Sequence, residues 1–173
     1  MRRSPRHRGP VELIVRRPAP GEREVVIEAT VQVFGGMAGD GWSVRGSRQT
    51  PDGAAHPGRQ VTVMNARMAA LVAGDPARRQ LAGDQLYVDL DLSHANLPVG
   101  THLAVGTTVI EVTNEVHRGC RKFTDRFGLD AFRLVNSVDG RRLRLRGLNA
   151  RVVVGGVVRV GDAMTRLPVV DES

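Results

Sequence analysis

The chain has 173 residues, with 25 basic and 18 acidic residues and one cysteine, Cys120. This length suits a single domain with its own hydrophobic core. One cysteine excludes an internal disulfide and any zinc site built from cysteines alone. No apolar run reaches the roughly 18 residues that span a bilayer, and no apolar stretch of a secretory signal follows the basic N-terminus. We therefore expect a cytoplasmic protein without membrane association.

The net charge of +7 is distributed unevenly. Residues 1–17 contain six arginines and one glutamate, a balance of +5, so the other 156 residues carry only +2. Aromatic residues make up 3% of the chain, which leaves few side chains to stack on bases. This composition disfavours a nucleic-acid-binding protein. It predicts a flexible basic arm over residues 1–20, one domain over 21–168 and a short tail over 169–173.

The hydrophobic pattern is mainly that of β-strands, in which apolar and polar residues alternate. A long run over 101–112 is interrupted at Gly106, where a hairpin turn or a bulge is expected. Strict alternation over residues 142–147 predicts a strand with its arginines on one face. Residues 150–160 are predicted to form two strands around a Gly155-Gly156 turn. In chain order the predicted strand regions are residues 24–33, 60–64, 86–92, 101–112, 142–147 and 150–160.

Helical signals are fewer. Asn65 is a candidate N-cap for a helix through Ala73 that ends at Gly74. A second helix is predicted over Arg121–Phe127, ending at Gly128, and a shorter one from Asp130 through Asn136. Many short strands with few short helices predict a mainly β fold of the barrel or sandwich type.

The most informative local feature is the sequence from His117 to Lys122, which contains Cys120 at the start of the second predicted helix. The positive end of a helix and several cationic neighbours favour the thiolate, which attacks electrophiles and binds soft metals. The alternative is that Cys120 is a small buried apolar residue, as free cysteines often are. His117 is a candidate base, and the sequence identifies no third group that would orient it.

Two further features are compatible with binding or with ordinary surface structure. The glycine-rich stretch that ends at Asp40 permits a tight turn but lacks the Lys-Ser/Thr of a phosphate-binding loop. The arginines of the predicted 142–147 strand share one face, which is typical of a solvated surface. Arginines gathered at a pocket would instead bind a phosphate.

Eight short motifs together resemble the MOSC domain, the C-terminal module of molybdenum cofactor sulfurases. Their order and spacing extend over about residues 24–166, and the single cysteine is at the family's key position, as in a small stand-alone member. The motifs are Gly39-Asp40, Arg59-Gln60-Val61, Leu97–Thr101, Val109–Thr113, Gly119-Cys120, Arg126-Phe127-Gly128, Gly147–Val152 and Val160-Gly161-Asp162.

The resemblance implies a mainly β, barrel-like MOSC fold with a few short helices. It also implies that Cys120 carries sulfur or is a ligand to molybdenum. His117, three residues earlier, remains a second catalytic candidate from its position alone. Implied partners are a cysteine desulfurase or a molybdoenzyme, and the implied activity is molybdenum-cofactor-dependent or sulfur-transferring. The implied residues for binding molybdenum cofactor (molybdopterin) are Asp40, Arg118, Lys122, Asn149 and Arg151.

The chain departs from the family pattern at two places. Many relatives have a histidine shortly after the Gly-Asp pair, where this chain has Gly41-Trp42-Ser43, and a Gly-Glu-Asn-Leu-like stretch here is Gly83–Leu86. Pyridoxal phosphate is expected on a partner desulfurase, since Lys122 is the only lysine available for a Schiff base. The alternative function is a non-enzymatic module that binds a small anion and has a structural cysteine.

Overall fold

The structure, a computed structural model, describes residues 4–168. Within these residues the strands are β1 (Arg8–Arg16), β2 (Glu24–Val26), β3 (Glu28–Gln32), β4 (Gly36–Met37), β5 (Val61–Asn65), β6 (Leu86–Val88), β7 (His102–Val105), β8 (Thr108–Val112), β9 (Leu148–Val154), β10 (Gly156–Arg159) and β11 (Ala163–Arg166). The α-helices are α1 (Ala66–Ala73), α2 (Arg121–Asn136) and α3 (Val138–Arg142), and two 3-10 helices cover Pro57–Arg59 and Pro76–Ala82.

Seven of the strands close into a barrel, because β1 pairs with β6 on one side and with β11 on the other. The order around the ring is β1-β11-β7-β8-β9-β5-β6, and every pair is antiparallel except β5 with β6. A second sheet of three strands has the order β10-β3-β4. The predicted mainly β, barrel-like fold with a few short helices is therefore confirmed.

The barrel interior is filled by apolar side chains from alternate positions along the strands, as closure of a small barrel requires. Ile14, Val63 and Ile110 are completely buried there. A separate apolar cluster includes Met68 of α1 and Phe123 of α2, both buried. The helices thus cover one side of the barrel, and the loop that precedes α2 is held against the barrel wall. No helix within residues 4–168 is long and apolar enough to cross a membrane.

The N-terminal segment differs from the predicted flexible arm of residues 1–20. Residues 8–16 form β1, a central barrel strand whose Val11, Ile14 and Val15 are almost wholly buried. The arginine-rich composition suggested an arm, but the apolar residues between the arginines supply the buried face of a strand. The single structural unit therefore begins before residue 21. The predicted tail over 169–173 lies outside the described residues.

The helix predictions are confirmed in detail. Asn65 is the N-cap of α1, where its side chain accepts a hydrogen bond from the backbone N–H of Met68, and Gly74 ends the helix. Phe123 and Phe127 of α2 pack with their ring centroids 5.0 Å apart. Gly128 has a φ of 86°, which breaks the helix between the two predicted segments.

The prediction of a strand over 142–147 is wrong. Ser137 caps α3 by accepting from the N–H of Gly140, and the chain then turns through Arg144, whose φ is 48°. Arg144 and Arg146 are buried, not arranged on a solvated face. Leucine and arginine alternate in this segment, which is the pattern of a strand. The prediction failed because periodicity contains no information about the distant partners that bury these arginines.

Three other strand predictions needed adjustment. Strands β9 and β10 flank Gly155 as predicted, but they pair with different sheets and not with each other. The segment 24–33 divides into β2 and β3 around Ile27, which is 83% exposed. The segment 86–92 is a strand only over β6, although the apolar face predicted for it is buried in the core. The strand over 60–64 and the hairpin around Gly106 are confirmed as β5 and as β7–β8.

Candidate functional site

A cavity of about 760 Å³ opens at one end of the barrel. Its wall is formed by the end of β1, the loop after β4, the first 3-10 helix, β5, the β8–α2 loop and the turn before β9. These separate segments meet because the barrel brings strand ends from the whole chain to one rim. The charged, aromatic and other chemically active side chains of the wall are Arg17, Trp42, Arg45, His56, Arg59, Glu115, His117, Arg118, Cys120, Arg146 and Asn149.

The β8–α2 loop, which contains His117 and Cys120, is tied to the barrel by hydrogen bonds. Thr113 donates through its hydroxyl to the carbonyl of Gly58 over 2.7 Å, and the side-chain Nδ2 of Asn149 donates to the carbonyl of Glu115 over 3.1 Å. Asn149 thus acts on the loop backbone from its position on β9. The loop reaches α2 in extended conformation at Cys120, which is the N-cap residue of that helix.

Asn136, the last residue of α2, fixes the backbone just before Cys120. Its Oδ1 accepts from the N–H of Gly119 at 3.1 Å, and its Nδ2 donates to the carbonyl of Gly119 at 3.2 Å. A Cβ on residue 119 would lie 2.8 Å from a methyl group of Val135, so glycine is required for this close approach. The two ends of α2 therefore hold the cysteine in place together.

We expect Asn136→Ala to lower the free energy of unfolding by about 1–3 kcal/mol, because two backbone groups of Gly119 lose their partner. It should also change the rate at which iodoacetamide alkylates Cys120, since the loop that presents the thiol is released. Asn114→Ala is the matched control, because Asn114 lies in the same loop, is exposed, and makes no side-chain hydrogen bond to the described residues. Urea unfolding and alkylation kinetics measure both effects, and equal behaviour of the two variants would contradict the assignment.

Arg17 is positioned in the wall by a buried carboxylate. Its Nε and Nη2 donate to the two carboxylate oxygens of Asp40 at 2.8 and 3.0 Å. Asp40 also accepts from the backbone N–H groups of Arg17 and Trp42, and its side chain has no exposed surface. Asp40 therefore stands behind Arg17 and does not line the cavity itself.

A second buried carboxylate, Asp84, lies between Arg146 and His117. Arg146 pairs with one oxygen of Asp84, and Nδ1 of His117 lies 3.3 Å from the other. Burial, then the nearby guanidiniums of Arg146, Arg17 and Arg59, lower the pKa of His117 well below its usual value. The ring is therefore neutral. Its Nδ1 makes no hydrogen bond to the described residues despite the short distance to Asp84, and a neutral imidazole has one nitrogen lone pair that can accept a hydrogen bond or bind a metal.

The third carboxylate, Glu115, lies in the cavity wall. Arg59 donates to it through Nε at 3.0 Å and through Nη2 at 2.7 Å, and Nε2 of His56 lies 3.6 Å away. Nδ1 of His56 accepts from the N–H of Gly58, which places the proton of a neutral ring on Nε2, towards Glu115. This side of the cavity has a carboxylate–histidine pair next to Trp42.

The cavity wall has a surplus of positive charge. Five arginines line it, and Glu115 is the only carboxylate among the described wall residues. Burial, followed by the charge of Arg17, lowers the pKa of Arg45, which lies 3.9 Å from Asp40. Even with the buried Asp40 and Asp84 counted, cations outnumber carboxylates, so the cavity favours an anionic ligand.

The structure brings together only part of the residue set that the resemblance implied. Cys120, His117, Arg118 and Asn149 all line the cavity, and Cys120 is exposed, not packed as a buried apolar residue. Asp40 lies behind the wall. Lys122 is exposed on the first turn of α2 outside the wall, and Arg151 is also outside it, on the barrel surface, where it pairs with Glu111 at 2.7 Å.

Sequence reasoning missed most of the charged wall. Arg17, Arg45, Arg59 and Arg146 are far apart in the chain, and His56 follows Asp40 by 16 residues. The sequence contained only a weak indication of these residues. Arg59 belongs to one of the eight family motifs, and Arg146 belongs to the arginine-rich stretch 142–147, for which a strand is predicted. Asp84 falls in the stretch that departs from the family pattern, yet it forms the buried pair with Arg146.

The model of the MOSC domain matches residues 51–165, which is more than half of the chain. The chain belongs to the MOSC-domain family. Three solved structures show the same fold as this MOSC protein at low sequence identity. YuaD from Bacillus subtilis has a TM-score of 0.60 at 16% identity, with 91% of this chain and 94% of that chain covered.

The YiiM protein from Escherichia coli has a TM-score of 0.58 at 19% identity, covering 93% of this chain and 70% of its own. YiiM from Geobacillus stearothermophilus has a TM-score of 0.60 at 13% identity, covering 92% and 75% respectively. No curated protein matches the sequence. Membership of the MOSC family connects the chain to sulfur and molybdenum cofactor chemistry in general terms.

The cavity residues are compatible with such a cofactor. Within residues 4–168, no group of three His, Cys, Asp or Glu side chains is placed to hold a metal alone. A metal that arrives with its own cofactor ligands needs only one soft protein ligand, and Cys120 offers a sulfur in the wall. The buried Nε of Arg146 has no hydrogen-bond partner among the described residues, and guanidinium groups suit a phosphate.

Proposed function

We propose that this MOSC protein binds the phosphate-bearing molybdenum cofactor in the 760 Å³ cavity, with Cys120 as its thiolate ligand or as a sulfur acceptor. The observation that supports the proposal is the convergence of five arginines and the only cysteine on one cavity. The arginines match a phosphate, and a thiolate is a soft ligand suited to molybdenum. Bound molybdenum would supply redox chemistry at this position.

The chain's own residues have separate tasks in this proposal. Arg17 and Arg146, each oriented by a buried carboxylate, bind the anionic group. Arg45, which lies 3.9 Å from Asp40, and Arg118, which forms no ion pair with the described residues, lie at the same wall. His117 is neutral and has a lone pair, so it can accept a hydrogen bond from a ligand in the cavity, whereas its lowered pKa disfavours the protonated ring. Asn149 and Asn136 position the loop on which Cys120 lies. The cofactor-binding roles that the resemblance implied for Lys122 and Arg151 are replaced by the wall arginines.

In the sulfur-carrier form of the proposal, the thiolate of Cys120 attacks the outer sulfur of a persulfide on a cysteine desulfurase. The S–S bond of the donor breaks, its electron pair remains on the donor cysteine as a thiolate, and a new persulfide forms on Cys120. No external oxidant or reductant is consumed. Pyridoxal phosphate belongs to the desulfurase in this scheme. A reducing cytoplasmic setting and a molybdoenzyme as the final acceptor complete the proposal.

The test combines molybdenum analysis with intact mass of the purified wild-type protein and of Cys120→Ala. We expect molybdenum that is lost in the variant, or an added mass of about 32 Da that a thiol reductant removes, as expected for a persulfide. Arg45→Ala should reduce cofactor retention because it removes a wall guanidinium. Arg48→Ala should not, since Arg48 is an exposed arginine of the same loop outside the wall.

The alternative function is non-enzymatic anion binding. The arginine surplus of the cavity supports it independently of the cysteine. Full retention of an anionic ligand by Cys120→Ala, without molybdenum or added mass in either protein, would favour this alternative and contradict the main proposal. Slow alkylation of Cys120 by iodoacetamide near neutral pH would point the same way.

A further inference from the structure

A second, smaller cavity of about 120 Å³ shares the segment 114–117 and Arg146 with the first. Its remaining wall is formed by the turn between α3 and β9, by His94 and by apolar residues such as Val135 and Leu148. The volume equals that of about four water molecules at roughly 30 Å³ each. The cavity therefore has room for a small polyatomic ion but not for an organic cofactor.

Arg144 in this wall is a buried cation without a carboxylate partner. It is 8% exposed, and its Nη1 donates to the carbonyls of Leu92 and Leu97 at 3.4 and 2.5 Å. No hydrogen bond joins its Nε or Nη2 to the described residues. Burial alone lowers the pKa of Arg144 to about 10, and no carboxylate opposes that shift. Burial of a charge without a carboxylate partner is costly, so an anion in the cavity would stabilise this guanidinium.

The backbone conformation at Arg144 is also unusual. Its φ of 48° is the only positive value at a non-glycine residue among the described residues. An arginine in the left-handed region is uncommon, and such conformations concentrate where a side chain is held for binding. The turn thus directs a long cationic side chain into the molecule at the expense of backbone strain.

The other charged groups of this wall are also mainly cationic. Arg141, Arg144 and Arg146 line it, and burial followed by the charge of Arg144 lowers the pKa of His94. Glu115 is the only carboxylate among the described wall residues, and Arg59 already pairs with it. Apolar neighbours reduce the local dielectric constant and strengthen the attraction for a bound anion.

We propose that this second cavity is a binding site for a small tetrahedral oxyanion, held by Arg144 and Arg141 with Arg146 at its boundary with the larger cavity. The planar guanidinium group matches two oxygens of a tetrahedral anion at once. Phosphate, sulfate and molybdate share this chemistry, and competition among them identifies the preferred one. The site does not depend on Cys120, and it shares only Arg146 and the segment 114–117 with the larger cavity.

The test uses tungstate as a heavy-atom oxyanion in crystals, together with phosphate, sulfate and molybdate titrations at constant ionic strength. We expect an anomalous peak between the guanidiniums of Arg141 and Arg144. Arg141→Ala should weaken oxyanion binding there by about tenfold, the loss of roughly one charge-assisted hydrogen bond. Arg142→Ala is the matched control, because Arg142 is the adjacent exposed arginine, pairs with Asp139 and does not line the cavity.

Two further variants separate this site from the larger cavity and from a general effect of charge. Arg45→Ala should leave the tungstate peak in place, because Arg45 lines the larger cavity and not the second one. Arg144→Lys keeps the charge but not the planar group, and we expect weaker binding with little change in net field. A peak found only in the larger cavity, no peak at all, or equal losses in Arg141→Ala and Arg142→Ala would each overturn the proposal.

Discussion

Replacing Asp84 with alanine is expected to lower the free energy of unfolding by about 3–5 kcal/mol. Asp84 has no exposed surface, and its carboxylate is the charge partner of Arg146, which is itself only 6% exposed. Without it, the guanidinium remains buried with the carbonyl of Ala82 at 2.8 Å and the face of Phe123 as its contacts. Neither neutralises the charge, and urea unfolding measures the loss.

The exposed pair of Asp139 and Arg142 provides the control for the Asp84 variant. Asp139→Ala breaks an aspartate–arginine pair at the surface, where the side chains of Asp139 and Arg142 are 76% and 66% exposed. It should change the free energy of unfolding by less than about 0.5 kcal/mol. The double variant Asp84→Ala with Arg146→Met removes both buried charges and should recover part of the loss. If Asp84→Ala cost no more than Asp139→Ala, the Asp84–Arg146 pair would have no structural importance.

Asp40→Ala is expected to produce a loss of similar size, about 3–5 kcal/mol, together with weaker binding of anions in the larger cavity. The carboxylate accepts four hydrogen bonds, two from the guanidinium of Arg17 and two from backbone N–H groups. Its removal leaves Arg17 buried without a counter-charge and frees the loop that contains Trp42. The binding effect is indirect, because Asp40 does not line the cavity.

The neighbouring pair of Arg16 and Glu24 is a matched control for Asp40. Glu24 binds Arg16 through two hydrogen bonds of 3.1 and 2.7 Å, as Asp40 binds Arg17, but both of its side chains are partly exposed. Glu24→Ala should cost less than about 1 kcal/mol and leave anion binding unchanged. Urea unfolding and phosphate titration measure the two effects. Equal effects of Asp40→Ala and Glu24→Ala would show that burial of the Asp40–Arg17 pair contributes neither to stability nor to anion binding.

Of the residues that the resemblance implied for the site, those that line the cavity come from the loop before α2 and, as Asn149, from β9. His117, Arg118 and Cys120 lie on one loop, so any fold that brings the loop to a cavity brings all three. Lys122 is two residues further but already on the first turn of α2, where helical geometry directs it away from the wall. Arg151 is exposed on β9 between the buried Ala150 and Val152, and its guanidinium pairs with Glu111 of the neighbouring strand β8.

The ion pairs of the site could not be predicted from local sequence patterns, because their partners are far apart in the chain. Arg17 meets Asp40 across 23 residues, and Arg146 meets Asp84 across 62 residues. A buried arginine and a solvated arginine have the same sequence signature until the carboxylate opposite is known. The prediction of a strand over 142–147 failed for this reason: it placed the arginines on a solvent-exposed face, whereas Arg144 and Arg146 are buried.

The sequence by itself determined the class of fold, the helix ends and the single thiol. These depend on short-range rules: alternation for strands, Asn65 and Gly74 as caps, Gly128 as a break in α2, and the count of one cysteine. Only the tertiary structure decided that β1 closes the barrel and that arginines from five segments meet around Cys120. Barrel closure and charge pairing are long-range interactions, and their energies depend on burial and distance, which a linear pattern does not contain.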